Sequence, residues 1–339
     1  MRRDRLVAWM QWLIPLVAVA AAALFIHSKS DFLRQGLLAV RHAQPGYVWL
    51  ASLAGLCAFY TMGEVTVRLL AAGGVKVRRG QAFALALAAN AWSASIPGGQ
   101  GAAAMFSFTV MRRWGASSVL CSWQILMSAT LSTVWLIGLG VASIFLLGAD
   151  FSLTSSVLSL LLLVGLSAAA GFIAWHPWVL LRPGLWGLKI LNYLRRKPTD
   201  YQAQQLINHI ERLDTFTLSP QFFAMTSLWS LAKWLTELAA LWWCVQAVTG
   251  GHHGLSLAGC ALAFVTSKLA GTVQATPGGI GPVEAALTAT LVAAGLAAAH
   301  ATAAVVLYRL ITLFAMTVVG WVVYGLAFVR RGFRAKVGG

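Results

Sequence analysis

Residues 276–284 read Thr-Pro-Gly-Gly-Ile-Gly-Pro-Val-Glu and interrupt a long apolar part of the chain. The residues on either side of the interruption, 255–275 and 283–294, both have the composition of helices. Pro277 removes a backbone donor, and the glycines permit backbone conformations that other residues resist. A broken helix is tolerated at membrane depth only where it is buried in protein or lines a water-filled cavity. This break is therefore the first candidate for a functional site.

A second break occurs earlier in the chain, where residues 96–101 read Ile-Pro-Gly-Gly-Gln-Gly. The two prolines lie 180 positions apart (277 minus 97). The last glycine of each motif is followed by another glycine 14 residues later (101 to 115, and 281 to 295). These matched spacings predict an internal repeat. Paired interruptions in the two halves of a membrane protein are a sequence indication of a transporter's binding site.

The composition indicates an integral membrane protein. Of 339 residues, 59% are hydrophobic and only 10% are charged, and the mean hydropathy is +0.76, which soluble domains do not reach. The formal net charge of +16 is better explained by basic cytoplasmic loops that set topology than by nucleic-acid binding. The four cysteines lie in apolar segments without the spacing of a metal site. We expect them to be free core residues, and we expect no metal or cofactor.

The predicted fold class is an all-α polytopic helical bundle that forms a single transmembrane domain over residues 1–339. Residues 6–26 are apolar and long enough to span, so we expect an uncleaved first helix rather than a signal peptide. The remainder divides into repeat one at about 47–147, a connecting span at 153–175, a polar stretch at 176–219, and repeat two at about 220–329.

The basic residues favour a particular topology. If each broken segment is a helical hairpin that enters and returns on the same side, then both termini and the basic stretches 76–79, 112–113 and 176–219 face the cytoplasm, as the positive-inside rule requires. The exception is the basic group at 29–41, which this topology places on the outer side of the membrane. The two hairpins then enter from opposite sides. The halves are therefore predicted to be inverted repeats, an arrangement that suits alternating access.

Few ionisable residues lie inside the predicted spans, where they are costly and usually face the protein interior. Glu64 precedes Arg68 by four positions, and Lys233 precedes Glu237 by four, so each pair shares a helix face. For Glu64 and Arg68 we favour a neutralised pair, because Arg68 can extend to the cytoplasmic interface. For Lys233 and Glu237 a structural pair and a binding role are both open.

Near the second break, Glu284 lies in the first turn of the following helix, where an acid is favourable. It could cap that helix, pair with Arg309, or face a ligand, and the sequence does not separate these roles. The backbone N–H groups at 278–281 beside the helix N-terminus suit an anion. Because Lys268 and Arg309 are nearby, one hypothesis is that a lipid phosphate binds here. The alternative is that the glycines only permit a tight turn.

In repeat one, polarity without charge comes from Asn90, Ser93, Ser95 and Gln100, whereas the tryptophans at 92 and 123 are expected to pack or lie at an interface. No catalytic residue or metal ligand is predicted, the His-His pair at 252–253 included. The candidate substrate-binding residues are Lys268, Pro277, Gly278, Gly279, Gly281, Glu284, Tyr308, Arg309, Pro97, Gly98, Gly99, Gln100, Asn90, Lys233 and Glu237.

The motif at 276–284, followed by Gly295 and by Leu-Tyr-Arg-Leu at 307–310, resembles the transmembrane family named after lysylphosphatidylglycerol synthetase, a flippase-like domain also found as stand-alone proteins. The resemblance implies a bacterial inner-membrane protein that moves a lipid between leaflets, with Glu284 and Arg309 at motif positions. The charges that the family often carries in its first half are missing at 98–102 and 124–129. No soluble aminoacyl-transfer domain is evident, so we expect no synthetase activity.

The leading hypothesis is a non-catalytic, flippase-like transporter of an anionic, aminoacylated or polyprenyl-phosphate-linked lipid. A membrane enzyme of lipid or glycan assembly is disfavoured, because such enzymes usually carry acidic or histidine clusters and this chain has nine acids in total. A third hypothesis is a scaffold of an envelope-synthesis complex that docks through 176–219. No nucleotide-binding Gly-x-x-x-x-Gly-Lys-Ser/Thr motif is present.

Overall fold

The computed structural model describes residues 43–148, 219–251, 254–272 and 276–329. Within these ranges every regular element is helical and no strand occurs, which confirms the all-α class. The predicted first span at 6–26, the connecting span at 153–175, and almost all of the polar stretch 176–219 lie outside the described residues, as do the histidines at 252–253.

Eight helices occupy the described ranges. They are α1 Pro45–Ala72, α2 Arg79–Ser95, α3 Gly99–Arg113, α4 Ser118–Gly148, α5 Pro220–Thr249, α6 Leu257–Ala270, α7 Pro282–Ala293 and α8 Ala298–Val329. Three of them, α1, α4 and α8, are long and apolar enough to cross a membrane. Prolines begin α1, α5 and α7, where the missing N–H has no helical partner to lose.

Both Pro-Gly-Gly motifs lie between helices. Gly98 precedes α3 with a φ of 64°, and Gly278 lies in the 3₁₀ turn Pro277–Gly279 with a φ of 60°. These left-handed conformations are easily adopted only by glycine. The glycines that follow α3 and α7, Gly115 and Gly295, have φ values of 92° and 101°. Two glycine pairs 180 positions apart thus match in conformation, whereas Gly279 and Gly281 have positive φ values that Gly99 and Gly101 do not share.

The helices pack in a reciprocal pattern. The arms of the two breaks contact each other, α2 against α3 and α6 against α7. Across the halves, α1 packs along α5, the second half of α8 packs on α2, and α4 packs on α6. The buried apolar residues form two clusters, each composed mainly of residues from one half. Tyr324 and Phe328 of α8 belong to the cluster of the first half. The orientation of the halves relative to a membrane stays a prediction.

Two predicted helix limits differ from the structure. The helix expected at 255–275 ends at Ala270, because Gly271 caps it with N–H bonds to carbonyls of the last turn and leads into the break. The last span is not uniformly α-helical, since π-helical turns occupy Leu310–Ala315 and Tyr324–Val329. The first π-helical turn begins directly after Arg309, and such turns are frequent at functional sites.

The predicted pairing of Glu64 with Arg68 is wrong. Glu64 is buried and its carboxylate lies 2.8 Å from Nε of Arg79, the first residue of α2. The two helices approach closely at Gly63, where a Cβ would lie 3.0 Å from the backbone nitrogen of Phe83. This close contact brings the start of α2 beside Glu64, which the spacing within α1 could not indicate.

The crossing of α8 over α2 depends on Gly320. A methyl group at this position would meet the carbonyl oxygen of Leu87 at 2.3 Å and Cβ of Ala91 at 2.9 Å. We expect Gly320→Ala to destabilise the protein by about 1–3 kcal/mol through overpacking, although alanine has the higher intrinsic helix propensity, by about 1 kcal/mol. The measurement is thermal unfolding of the detergent-solubilised protein.

Gly325→Ala is the matched control for this crossing, because a Cβ there has no neighbour within 4 Å. We expect that variant to unfold at the wild-type temperature or slightly above it. Equal unfolding temperatures for the two variants would contradict the close contact of α8 with α2.

Candidate functional site

A cavity of about 500 Å³ lies between the two halves of the described structure. Its wall includes residues of α1, α2 and α4 from the first half and of α5, α6 and α8 from the second. Among the predicted site residues, those that line it are Asn90, Gln100, Lys233, Glu237, Lys268, Gly278, Tyr308 and Arg309. We call this cavity the cationic chamber, because Lys233, Lys268 and Arg309 are its basic lining residues and Glu237 is the one acidic residue among the described lining.

The other predicted site residues do not line the cationic chamber. They are Pro97, Gly98, Gly99, Pro277, Gly279, Gly281 and Glu284. Their contribution in this structure is to shape the two breaks. Gly99, for example, is buried so closely that a Cβ would lie 2.4 Å from the carbonyl oxygen of Ser93.

Glu237 lies between two lysines. Its Oε2 accepts a hydrogen bond of 2.5 Å from Nζ of Lys268 on α6, and its Oε1 lies 3.4 Å from Nζ of Lys233, one turn earlier on α5. All three side chains are partly exposed to the chamber. The i,i+4 pair of the sequence is present, but the closer partner of Glu237 comes from another helix. One carboxylate thus holds two cations that face the cavity.

Trp234 supports this group, and the sequence analysis did not identify it. Its indole Nε1–H donates to the carbonyl of Ser132 on α4 at 2.7 Å, which fixes the ring. Nζ of Lys233 lies 3.2 Å from the ring centroid, a distance typical of a cation–π interaction. An aromatic residue directly after an intramembrane lysine was the available sequence signal.

Arg309 joins the second break to α8. Its Nε donates to Oε1 of Glu284 at 2.5 Å and its Nη2 donates to the carbonyl of Gly278, also at 2.5 Å. The other carboxylate oxygen of Glu284 accepts from the N–H of Gly281 at 2.6 Å. Glu284 therefore both caps α7 and pairs with Arg309, and these are two of the roles that the sequence left open.

The predicted anion site on the backbone N–H groups of 278–281 is wrong for most of those groups. The N–H of Gly279 donates to the carbonyl of Thr276, that of Ile280 to Pro277, and that of Gly281 to Glu284. The tight turn folds its own acceptors onto these donors. An anion in the cationic chamber would therefore depend mainly on side chains.

Two polar groups of the chamber wall lack hydrogen-bond partners among the described residues. They are the hydroxyl of Tyr308 and the amide Nδ2 of Asn90, and both atoms are buried. A buried donor without a partner costs about 1–3 kcal/mol, so native structures rarely leave one unsatisfied. Both residues belong to the wall of the cationic chamber.

Other polar and aromatic residues near the chamber serve packing. The hydroxyl of Ser95 donates to the carbonyl of Ala91 and accepts from the indole of Trp321, so it joins α2 to α8. Trp92 lies among aromatic rings, stacked at 6.2 Å on Phe106 and 5.4 Å from Trp321. The expectation that Trp92 packs is confirmed. In the described ranges no group of three His, Cys, Asp or Glu side chains could hold a metal.

Comparison with known proteins agrees with these motifs. A comparison with curated proteins found no match. The family described as the lysylphosphatidylglycerol synthase TM region matches residues 12–320, which is most of the chain. The three long apolar helices of this chain, α1, α4 and α8, fit a membrane-protein family. The chain therefore belongs to the family of lysylphosphatidylglycerol synthase transmembrane regions.

Proposed function

We propose that this protein moves a phosphate-bearing lipid between the two leaflets of a bacterial inner membrane without changing it chemically. The observation that carries the proposal is the cationic chamber between the two halves, with Lys233, Lys268 and Arg309 in its wall. Charged side chains inside a membrane protein are costly and usually serve a pathway or a ligand. Family membership supports the same conclusion.

The charges of the chamber suit an anion. The cations Lys233, Lys268 and Arg309 outnumber the carboxylates that hold them, Glu237 and Glu284, by one. The carboxylate of Glu237 occupies the position between the two lysines that a lipid phosphate would take. A phosphate that enters can replace Glu237 as the partner of Lys268, so the site gives up one ion pair as it forms another.

The size and symmetry of the site also support transport. Ligand sites commonly measure roughly 300–1,000 Å³, and the chamber has about 500 Å³. The matched conformations of Gly98 with Gly278 and of Gly115 with Gly295, and the reciprocal packing of helices, support two related halves. Two such halves in inverted orientation would expose the chamber to one leaflet and then to the other. In this proposal the lipid tails stay in the bilayer while the headgroup passes through the chamber.

The test is a reconstitution of the purified protein into liposomes that contain a trace of phosphatidylglycerol labelled with a fluorophore on an acyl chain. Access of a membrane-impermeant agent to the label reports movement between leaflets. We expect faster movement than in protein-free liposomes. If neither this lipid nor any labelled lipid from a bacterial extract moves faster, the proposal is wrong.

A catalytic role and a scaffold role have no specific observation in their favour. The polar stretch 176–219, which would carry a docking site, lies almost wholly outside the described residues. Lipid transport is therefore the one function that we propose.

A further inference from the structure

A second cavity of about 420 Å³ adjoins the cationic chamber. The two cavities share wall residues from both halves of the protein, among them Asn90, Ser132, Lys233 and Glu237. Beyond this junction the described wall of the second cavity carries no charged side chain. Its polar groups are hydroxyls and amides, contributed by Thr66, Ser107, Gln124 and Ser128. We call it the neutral chamber.

The neutral chamber offers hydrogen bonds that suit hydroxyl groups. Gln124 is buried and its Nε2–H donates to the hydroxyl of Thr66 at 3.3 Å, so its carbonyl oxygen remains an acceptor. The Nδ2 of Asn90, at the junction, is buried without a partner among the described residues. Amides and hydroxyls both donate and accept, and a polyol or sugar presents the same two functions.

The same wall is unfavourable to a cationic headgroup. The carboxylate at the junction, that of Glu237, is already held by Lys233 and Lys268. When a phosphate takes Lys268, Glu237 keeps Lys233 as its partner. A headgroup ammonium in the neutral chamber would therefore lie beside Lys233 and would find no unpaired carboxylate in the described wall. Because like charges repel strongly away from bulk water, an aminoacylated lipid would bind poorly.

We infer that the preferred substrate is an anionic lipid whose phosphate binds in the cationic chamber and whose uncharged, hydroxylated headgroup binds in the neutral chamber. This inference rests on the proposed function for its biological meaning. The inferred site prefers lipids with uncharged headgroups over aminoacylated lipids, although the family name refers to an aminoacylated lipid. Asn90 is the residue that joins the two parts of the site, with its amide donating to a headgroup hydroxyl.

The experiment measures lipid binding to the detergent-purified protein by native mass spectrometry, with phosphatidylglycerol and lysylphosphatidylglycerol of identical acyl chains in competition. We expect phosphatidylglycerol to bind at least about tenfold more tightly. Equal binding, or tighter binding of the lysyl lipid, would overturn the inference. Binding is measured separately from movement. A failure of the liposome assay would therefore refute transport, whereas the binding ratio alone decides the headgroup preference.

The variant Asn90→Asp sharpens the test, since it places a carboxylate at the junction of the chambers. We expect it to shift the binding ratio toward lysylphosphatidylglycerol by about tenfold. The control Asn90→Ala removes the amide without adding charge, and we expect it to weaken phosphatidylglycerol binding without any gain for the lysyl lipid. An unchanged ratio in folded Asn90→Asp would contradict the placement of the headgroup. If that variant does not fold, the wild-type ratio decides.

Discussion

Replacing Lys268 with methionine is expected to reduce lipid movement in reconstituted liposomes by about tenfold or more, because hydrogen bonds to charged groups contribute about 1.5–3 kcal/mol. Methionine keeps the length and the apolar stem of the side chain but cannot pair with a phosphate. The variant leaves Glu237 with Lys233 at 3.4 Å as its remaining cationic partner. The measurement is the rate of movement of labelled phosphatidylglycerol at equal amounts of folded protein.

Two controls accompany Lys268→Met. The variant Lys268→Arg keeps the charge, and we expect it to retain more activity than the methionine variant. The variant Lys76→Met removes a cation from the exposed loop before α2, outside both chambers, and we expect the wild-type rate. If Lys268→Met moves lipid as fast as Lys76→Met, the cationic chamber does not bind the phosphate.

The second large effect concerns stability. Arg309 is buried and bonds both Glu284 and the carbonyl of Gly278. Removing one member of a buried ion pair leaves the other charge uncompensated, which typically costs about 3–5 kcal/mol. We therefore expect Arg309→Met to lower the free energy of unfolding by this amount, measured by denaturant titration in detergent micelles.

The variant Glu284→Gln distinguishes the ion pair that Glu284 makes with Arg309 from its role as the cap of α7. Glutamine can still accept the N–H of Gly281, so the cap of α7 is kept while the ion pair is lost. We expect the double variant to be destabilised by clearly less than the sum of the two single losses, because both remove the same interaction. Additivity within about 0.5 kcal/mol would show that the pair is not coupled.

The local features of the site could be predicted from the sequence because they follow from backbone chemistry. Proline and glycine mark both breaks, and the interval of four residues places Lys233 beside Glu237. The contacts between distant residues could not be predicted in this way. Lys268 reaches Glu237 across 31 positions, and Glu64 pairs with Arg79 because Gly63 allows two helices to touch.

The backbone donors at the second break illustrate a different limit. The glycine-rich sequence predicts a turn with unpaired N–H groups. The direction of each N–H, however, depends on the dihedral angles of the turn, which the sequence does not give. Here the positive φ values of Gly278, Gly279 and Gly281 fold these donors onto Thr276, Pro277 and Glu284. The neutral chamber was likewise not foreseen, since its amides and hydroxyls come from several helices.

The most direct test of passage through the chambers is reversible obstruction at Ser132, which lines both of them. The variant Ser132→Cys would be made with alanine at the native Cys57, Cys121, Cys244 and Cys260, and a bulky methanethiosulfonate reagent would modify the single thiol. Met105→Cys, on an exposed side chain of α3 outside both chambers, is the control. Mass spectrometry confirms complete modification of each variant.

If the headgroup crosses through the chambers, modification of Ser132→Cys stops the movement of labelled phosphatidylglycerol, and a reducing agent restores it, whereas modified Met105→Cys moves lipid at its unmodified rate. Movement at an unchanged rate through fully modified Ser132→Cys would show that the lipid takes another route.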